Sequence, residues 1–268
     1  MVFYATACLR RVPLFHGNLQ TSDASDRVDP RSLSMSYLGR AIRRYRTAAV
    51  AQLGSSHEYA ELVRAGGGSV WVFAYGSLMW SAPEGVSITH RVRCRLDGFV
   101  RSFCVHSRNY RGSPAAPGLV LGLQPAESSA CEGVALCLGD PDSPTTLASL
   151  ALIDAQEMVA QSNPTDVYLR TVQPIHLDDG RSVPALAFVA NPADGPAADL
   201  TLQQRAAVIL RAHGARGSNR EYLEQTADRL ASLVIHDTPM KDLCDLVRAG
   251  PPLENRRDRD AGASPGMG

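Results

Sequence analysis

The chain has 268 residues, 44% hydrophobic and 20% charged, and its 27 basic side chains balance 27 acidic ones for a formal net charge of zero. That length suffices for a full hydrophobic core, and the neutral balance gives no global attraction to nucleic acid or to an anionic membrane surface. No apolar run approaches the ~20 residues that span a bilayer, and the basic residues are nearly all Arg, with Lys241 the one lysine.

Residues 1–69 read as an extension. Met1 to Thr21 hold Arg10 and Arg11 and no acidic residue, a composition similar to a mitochondrial presequence but without the apolar core of a secretory signal. Ser36 to Leu53 fits a basic amphipathic helix with Leu38, Ile42, Tyr45 and Ala49 on one face. Gly66-Gly67-Gly68 then predicts a flexible joint into a domain spanning 70–249.

The domain opens on Val70-Trp71-Val72-Phe73-Ala74-Tyr75-Gly76-Ser77-Leu78-Met79-Trp80. Five large or β-branched apolar residues predict a strand buried on both faces. Gly76 predicts a sharp turn, because glycine tolerates both positive φ and a close approach of backbone to another group. Beyond it, the amides of Ser77 and Leu78 are either those of a plain turn or a cradle for an anion or a carbonyl oxygen. Val86 to Leu96, Val100 to His106, Leu119 to Leu123 and Gly133 to Leu138 follow as short strands, with a polar loop at residues 107–114. Such a series argues for a small mixed or antiparallel sheet or barrel.

Ser143-Pro144 predicts the start of a helix running to about Met158, with Ser143 as its N-cap and with Leu147, Leu150, Ala151 and either Ile153 or Asp154 buried. Glu157 falls in its last turn, and Asn163-Pro164 stops any continuation. Tyr168 to His176 and Val183 to Ala190 flank Asp179-Gly180, a hairpin signal. Thr201 with Gln204 and Ser218 with Glu221 predict capping boxes for two helices, the first ending at Gly214. Pro239 predicts a last helix to about Val247, and the Pro-, Arg- and Gly-rich residues 250–268 predict a disordered tail. The six cysteines, Cys8, Cys94, Cys104, Cys131, Cys137 and Cys244, form no Cys-x-x-Cys pair and none has a histidine at metal-ligand spacing. A reducing compartment is expected.

Several separated motifs, in order, resemble one family, the ChaC-type γ-glutamylcyclotransferases that act on glutathione. The family's VFxYGSL(I/M)W stretch stands here as Val72 to Trp80. Its G-(Y/F)-x-R-x-F stretch is Gly98-Phe99-Val100-Arg101-Ser102-Phe103, followed by Arg111-Gly112-Ser113-Pro114 and then Gly133-Val134-Ala135. Its acidic motif aligns with Gln156-Glu157-Met158, and its Gly-x-x-Gly-x-Asn-x-(E/D)-Tyr-Leu motif is Gly214 to Leu223. This chain departs from the pattern at Gln156, where the family usually has Arg, and in a longer loop after Glu157. The resemblance implies an α+β fold, a small mixed, partly closed β-barrel with flanking helices.

It also implies a lyase that closes the γ-glutamyl group of glutathione into 5-oxoproline and releases Cys-Gly, in the cytoplasm where glutathione is abundant. The attacking nitrogen belongs to the substrate, so the reaction calls for no catalytic triad, metal or cofactor. Glu157 is the expected general acid/base. Its place at the negative end of a helix dipole, with desolvation, predicts a raised pKa. Tyr75, Gly76, Ser77, Leu78, Arg111 and Tyr222 are the expected substrate-binding residues. Tyr75 contributes either its backbone alone or its ring as well. Arg111 either meets the substrate's glycine carboxylate or braces its own loop. The expected partner is a small molecule, with no nucleic acid or membrane, and the chain is a monomer or weak dimer. Cyclisation of other γ-glutamyl peptides or amines, and a non-catalytic γ-glutamyl-binding module, are the alternatives.

Overall fold

The computed structural model describes residues 53–158, 167–194 and 196–250. The presequence-like stretch, the Ser36–Leu53 helix up to residue 52, the loop after Glu157 and the tail from 251 lie outside the described residues. The elements are α1 (Ser56–Gly66), β1 (Val70–Ala74), β2 (His90–Ser107), β3 (Gly118–Gly139), α2 (Pro144–Glu157), β4 (Tyr168–Leu177) and β5 (Ser182–Ala190). Then come α3 (Leu202–Arg211), the two-residue strands β6 (His213–Gly214) and β7 (Gly217–Ser218), α4 (Asn219–Ser232) and α5 (Thr238–Ala249).

Five strands close a barrel in the order β1-β3-β2-β4-β5. The pairings are antiparallel except at the closure, where β5 meets β1 in parallel at Leu186 and Val72 and β3 in parallel at Val189 and Leu123. The expected α+β barrel is therefore the fold observed, and it is closed. Every residue of β1 is buried, because one face of the strand looks into the barrel and α1 covers the other. Tyr59 of α1 is fully buried. Its hydroxyl accepts from Trp71 N–H (3.0 Å) and donates to the Trp71 carbonyl (2.8 Å), with the Pro184 carbonyl of β5 3.0 Å away. Ala60 and Val63 pack beside it. The described part of the extension, from Leu53, thus packs on the barrel as a helix, and Gly67 and Gly68, at φ 71° and 127°, join it to β1.

The four short strands expected between Val86 and Leu138 are two long ones. β2 runs through Gly98, whose φ of 80° sits at a register shift between Asp97 and Phe99. A glycine there lets the strand bend around the barrel without leaving the ladder. Opposite it, residues 126–129 of β3 are the extra chain of the same irregularity, with Ala130 paired to Asp97 and Pro125 to Phe99.

α2 starts at Pro144, as read from Ser143-Pro144, and ends at Glu157, but the Ser143 side chain makes no capping hydrogen bond. It buries Thr146, Ser149, Leu150 and Ile153, while Ala151 is exposed. β4 and β5 form the predicted hairpin around Gly180. α3 has the full capping box, with Thr201 and Gln204 bonded reciprocally, but ends at Arg211, before Gly214. Ser218 accepts from Glu221 N–H at the head of α4 (3.1 Å). The carboxylate of Glu221 turns away to accept from Gln225, so only half of that box forms. α5 buries Met240, Leu243, Cys244 and Val247 at i, i+3, i+4 and i+7; its larger apolar side chains each stabilise by about 1.5–3 kcal/mol.

Among the described residues the five cysteines are buried and unbridged. No described group of His, Cys, Asp and Glu has the makings of a metal site, and no described helix is long and apolar enough to cross a membrane.

Candidate active site

A pocket opens where β1 leaves the barrel, lined by Phe73, Ala74, Tyr75, Gly76, Ser77, Leu78, Leu121, Glu157, Tyr168, Phe188 and Tyr222. Five of the elements meet there: the ends of β1 and β5, the start of β3, the last turn of α2 and the start of β4. The first turn of α4 completes the ring. The structure brings together Tyr75, Gly76, Ser77, Leu78, Glu157 and Tyr222 out of the residues expected from sequence.

β1 ends at Ala74, and Ser77–Met79 form one 3₁₀ turn. The turn's own hydrogen bonds begin with Met79 N–H to the Gly76 carbonyl (2.9 Å), so the amides of Gly76, Ser77 and Leu78 stand ahead of it at the turn's positive end. Gly76 has φ −131°, so the positive φ that a glycine tolerates is not used. The glycine serves space instead: a β-carbon there would sit 3.5 Å from Leu121 Cδ1 and 3.6 Å from the Tyr222 hydroxyl, inside the pocket.

Arg101 fixes the entry to this turn. Its guanidinium is buried and donates to the Tyr75 carbonyl (2.7 Å) and to the Glu132 carbonyl. Nε lies 2.8 Å from Asp237 Oδ2, a charge contact not aligned as a hydrogen bond. The fork therefore caps β1 and β3 where their ladder stops, and binds them to the head of α5.

Tyr75 donates its hydroxyl to the Phe188 carbonyl (2.7 Å), which turns its ring toward the barrel interior, and it is one of the residues lining the pocket. Tyr168 donates to the Leu121 carbonyl (2.6 Å). Tyr222 packs edge-on against Phe103, with ring centroids 5.7 Å apart. Burial pushes the Tyr75, Tyr168 and Tyr222 phenols up, followed by the nearby Glu157 carboxylate for Tyr75 and Tyr222 and by Tyr75 and then Glu157 for Tyr168. All three stay protonated donors at neutral pH.

Glu157 is half-buried as a residue, because the pocket is open at its mouth, but its carboxyl is desolvated. Burial pushes the group up to about 7 from an ordinary 4.5, against the opposing pull of the Gln156 hydrogen bond and the Arg216 charge. The cause is therefore chiefly desolvation, whereas the sequence reading named the helix end first. Gln156 Nε2 donates to Glu157 Oε1 at 3.2 Å, a neutral donor beside the acid.

Arg111 does not line the pocket. It lies behind Tyr222, with its guanidinium carbon 5.1 Å from the ring centroid, donates to the Ser218 carbonyl (3.3 Å) and sits 3.9 Å from Glu221. These contacts are of the kind expected of a residue that braces its own loop. Tyr168, Leu121 and Phe188 were missed, as was Asn219. The Asn219 amide is fully buried and mimics a strand, accepting from Leu119 N–H and donating to the Leu119 carbonyl (both 2.6 Å). That pair nails α4 to β3 and sets Tyr222, one turn later, over the pocket. The sequence signal was Asn219 itself, a polar residue at a helix start that the N-cap Ser218 did not need.

The sequence model of the ChaC-like protein family matches residues 70–250. The chain belongs to that family. It is 34% identical over 182 residues to the glutathione-specific gamma-glutamylcyclotransferase of Escherichia coli, covering 68% of this chain and 74% of that protein. To the enzyme of the same description from Saccharomyces cerevisiae it is 30% identical over 204 residues, 62% of this chain and 87% of that one. A crystal structure of the yeast glutathione-specific cyclotransferase shares the fold of this ChaC-like chain, with a TM-score of 0.57 at 24% identity over 68% of this chain and 97% of that one.

Proposed function

We propose that this chain cleaves glutathione to 5-oxoproline and Cys-Gly, with Glu157 moving the proton. The substrate's α-amine attacks its own γ-carbonyl carbon, the new C–N bond closes a five-membered lactam, and the bond to the cysteine nitrogen breaks. One proton must leave the ammonium and one must reach the departing amine. A carboxyl poised at about 7 does both near neutral pH, where an ordinary Glu is too weak a base. The amides of Gly76, Ser77 and Leu78 are the donors proposed for the substrate's carboxylate or developing oxyanion. The pocket walls of Phe73, Leu121 and Phe188 fold the glutamyl chain back on itself, and such positioning supplies several kcal/mol of the rate.

One observation carries this reading: the family's acid lies in the same pocket as the family's Tyr-Gly-Ser-Leu turn, and it is desolvated. The kinship with glutathione-specific cyclotransferases supports glutathione as substrate. Cytoplasmic location is the reading that glutathione abundance supports. The test is 5-oxoproline release by the purified protein from reduced glutathione, oxidised glutathione and γ-glutamyl-alanine, with Glu157→Gln alongside. Release from reduced glutathione alone, lost in the variant, is expected. Release from γ-glutamyl-alanine would move the substrate to γ-glutamyl compounds at large, and binding without release would refute the enzymatic reading.

A further inference from the structure

The last turn of α2 carries two carboxylates with opposite fates. Glu157 faces the pocket. Asp154, three residues earlier, does not line the pocket, and Arg170 of β4 grips it with a two-pronged fork: Nε to Oδ1 at 2.6 Å and Nη2 to Oδ2 at 2.8 Å. A third donor comes from outside the barrel, the Ser56 hydroxyl at the head of α1, 2.6 Å from Asp154 Oδ1. The same N-terminal segment holds Arg170 as well. Leu53 N–H donates to the Arg170 carbonyl (3.0 Å), and Arg170 Nη1 reaches the Gly54 carbonyl (3.5 Å). The pair is mostly shielded, with Arg170 12% and Asp154 21% exposed. Burial pushes the Asp154 carboxyl up, but the hydrogen bonds from Arg170 and Ser56 outweigh it and hold the group below its ordinary range. It is a charged anchor.

This anchor sits where α2 needs one. Asp154 also offers the carbonyl that receives the helix's last bond, from Met158 N–H (2.8 Å). A bidentate Arg–carboxylate pair fixes orientation as well as distance. A catalytic group displaced by 1 Å forfeits up to about a hundredfold in rate. α1 lies before residue 70, where the family match begins, yet it supplies Ser56 to this anchor and Tyr59 to the back of β1.

We propose that Leu53–Ser56, Asp154 and Arg170 form a clasp that positions Glu157 against the Gly76–Leu78 turn, so that the catalytic unit of this chain includes a segment preceding the family's shared domain. The clasp residues are positioning residues; none reaches the pocket. The proposal rests on the reading of Glu157 as the acid/base.

The experiment uses the full chain and compares Arg170→Gln, Asp154→Asn, Arg170→Lys, Ser56→Ala and Glu157→Gln. Initial rates of 5-oxoproline release are normalised to the folded fraction measured by circular dichroism at the assay temperature. Arg170→Gln and Asp154→Asn should lower kcat about ten- to a hundredfold with KM changed less than about threefold. Arg170→Lys, which keeps the charge and loses the fork, should recover part of the loss. Ser56→Ala should lower kcat a few-fold, and the Arg170→Gln/Asp154→Asn double variant should be no worse than either single, because both break one link. Unchanged kcat per folded molecule in all clasp variants, beside an inactive Glu157→Gln, overturns the clasp alone and leaves a structural staple. If the ion-pair variants do not fold, Ser56→Ala decides, and wild-type turnover in it overturns the proposal. Wild-type turnover in Glu157→Gln overturns the site reading and the clasp with it.

Discussion

Replacing Glu157 with Gln should cost the enzyme its activity and make the fold more stable at alkaline pH. Burial raises the folded-state pKa to about 7 from 4.5, so the folded chain holds that proton more tightly than the unfolded chain. The fold gains from this below the ordinary pKa and loses the gain as pH rises through about 7. At about 1.4 kcal/mol per pKa unit, the penalty that opens between pH 5 and pH 8 is on the order of 2 kcal/mol. Gln keeps the shape and removes the ionisation. The urea midpoints of the two proteins should nearly coincide at pH 5 and diverge by pH 8, with the variant's higher by about 1 M. Its rate should fall by about 10²–10⁴-fold, the usual share of a general acid/base. A stability difference independent of pH would refute the desolvated carboxyl, even if activity were lost.

Gln156→Arg places a cation beside the acid, which favours the carboxylate. The rise of kcat/KM with pH, expected near 7 in the native chain, should move to lower pH by about one unit or more, read from a pH–rate profile. Gly76→Ala puts its methyl at ordinary contact distance from Leu121 and Tyr222, so the melting temperature should hold while KM for glutathione rises roughly tenfold. Tyr59→Phe leaves Trp71 N–H and a carbonyl without their buried partner. Urea unfolding should show a loss of about 1–3 kcal/mol.

What the sequence displayed was local. β1 was readable because its apolar run is contiguous, and the α2 boundaries because Ser143-Pro144 and the last turn are written in adjacent residues. Arg111 looked functional because it stands in a Gly- and Pro-rich loop, but its partners, Tyr222, Ser218 and Glu221, come from a segment about a hundred residues later. β2 and β3 were cut in two because Gly98 and residues 126–129 look like breaks. In a closed barrel they are bends, and only closure makes a bend cheaper than a loop. α1 was assigned to an extension because three glycines mimic a linker. Nothing local reveals that Tyr59 has two strand backbones to satisfy.

The residues that hold the pocket together share a physical origin. Strand and helix ends leave backbone groups without regular partners, and burial makes such groups costly unless something else bonds them. At this pocket several elements end together. Arg101 bonds the Tyr75 carbonyl where β1 stops, Asn219 bonds Leu119 where α4 starts, and Asp154 is tied to Arg170 where α2 stops. Each anchor satisfies or fastens an element end and so fixes the residue displayed there: Gly76, Tyr222 and Glu157 in turn. A desolvated Glu is itself destabilising when ionised, so the same site that weakens the fold needs the firmest attachments around it. Buried polar side chains flanking the motifs, more than the apolar lining, are therefore where substitutions should change turnover without touching substrate.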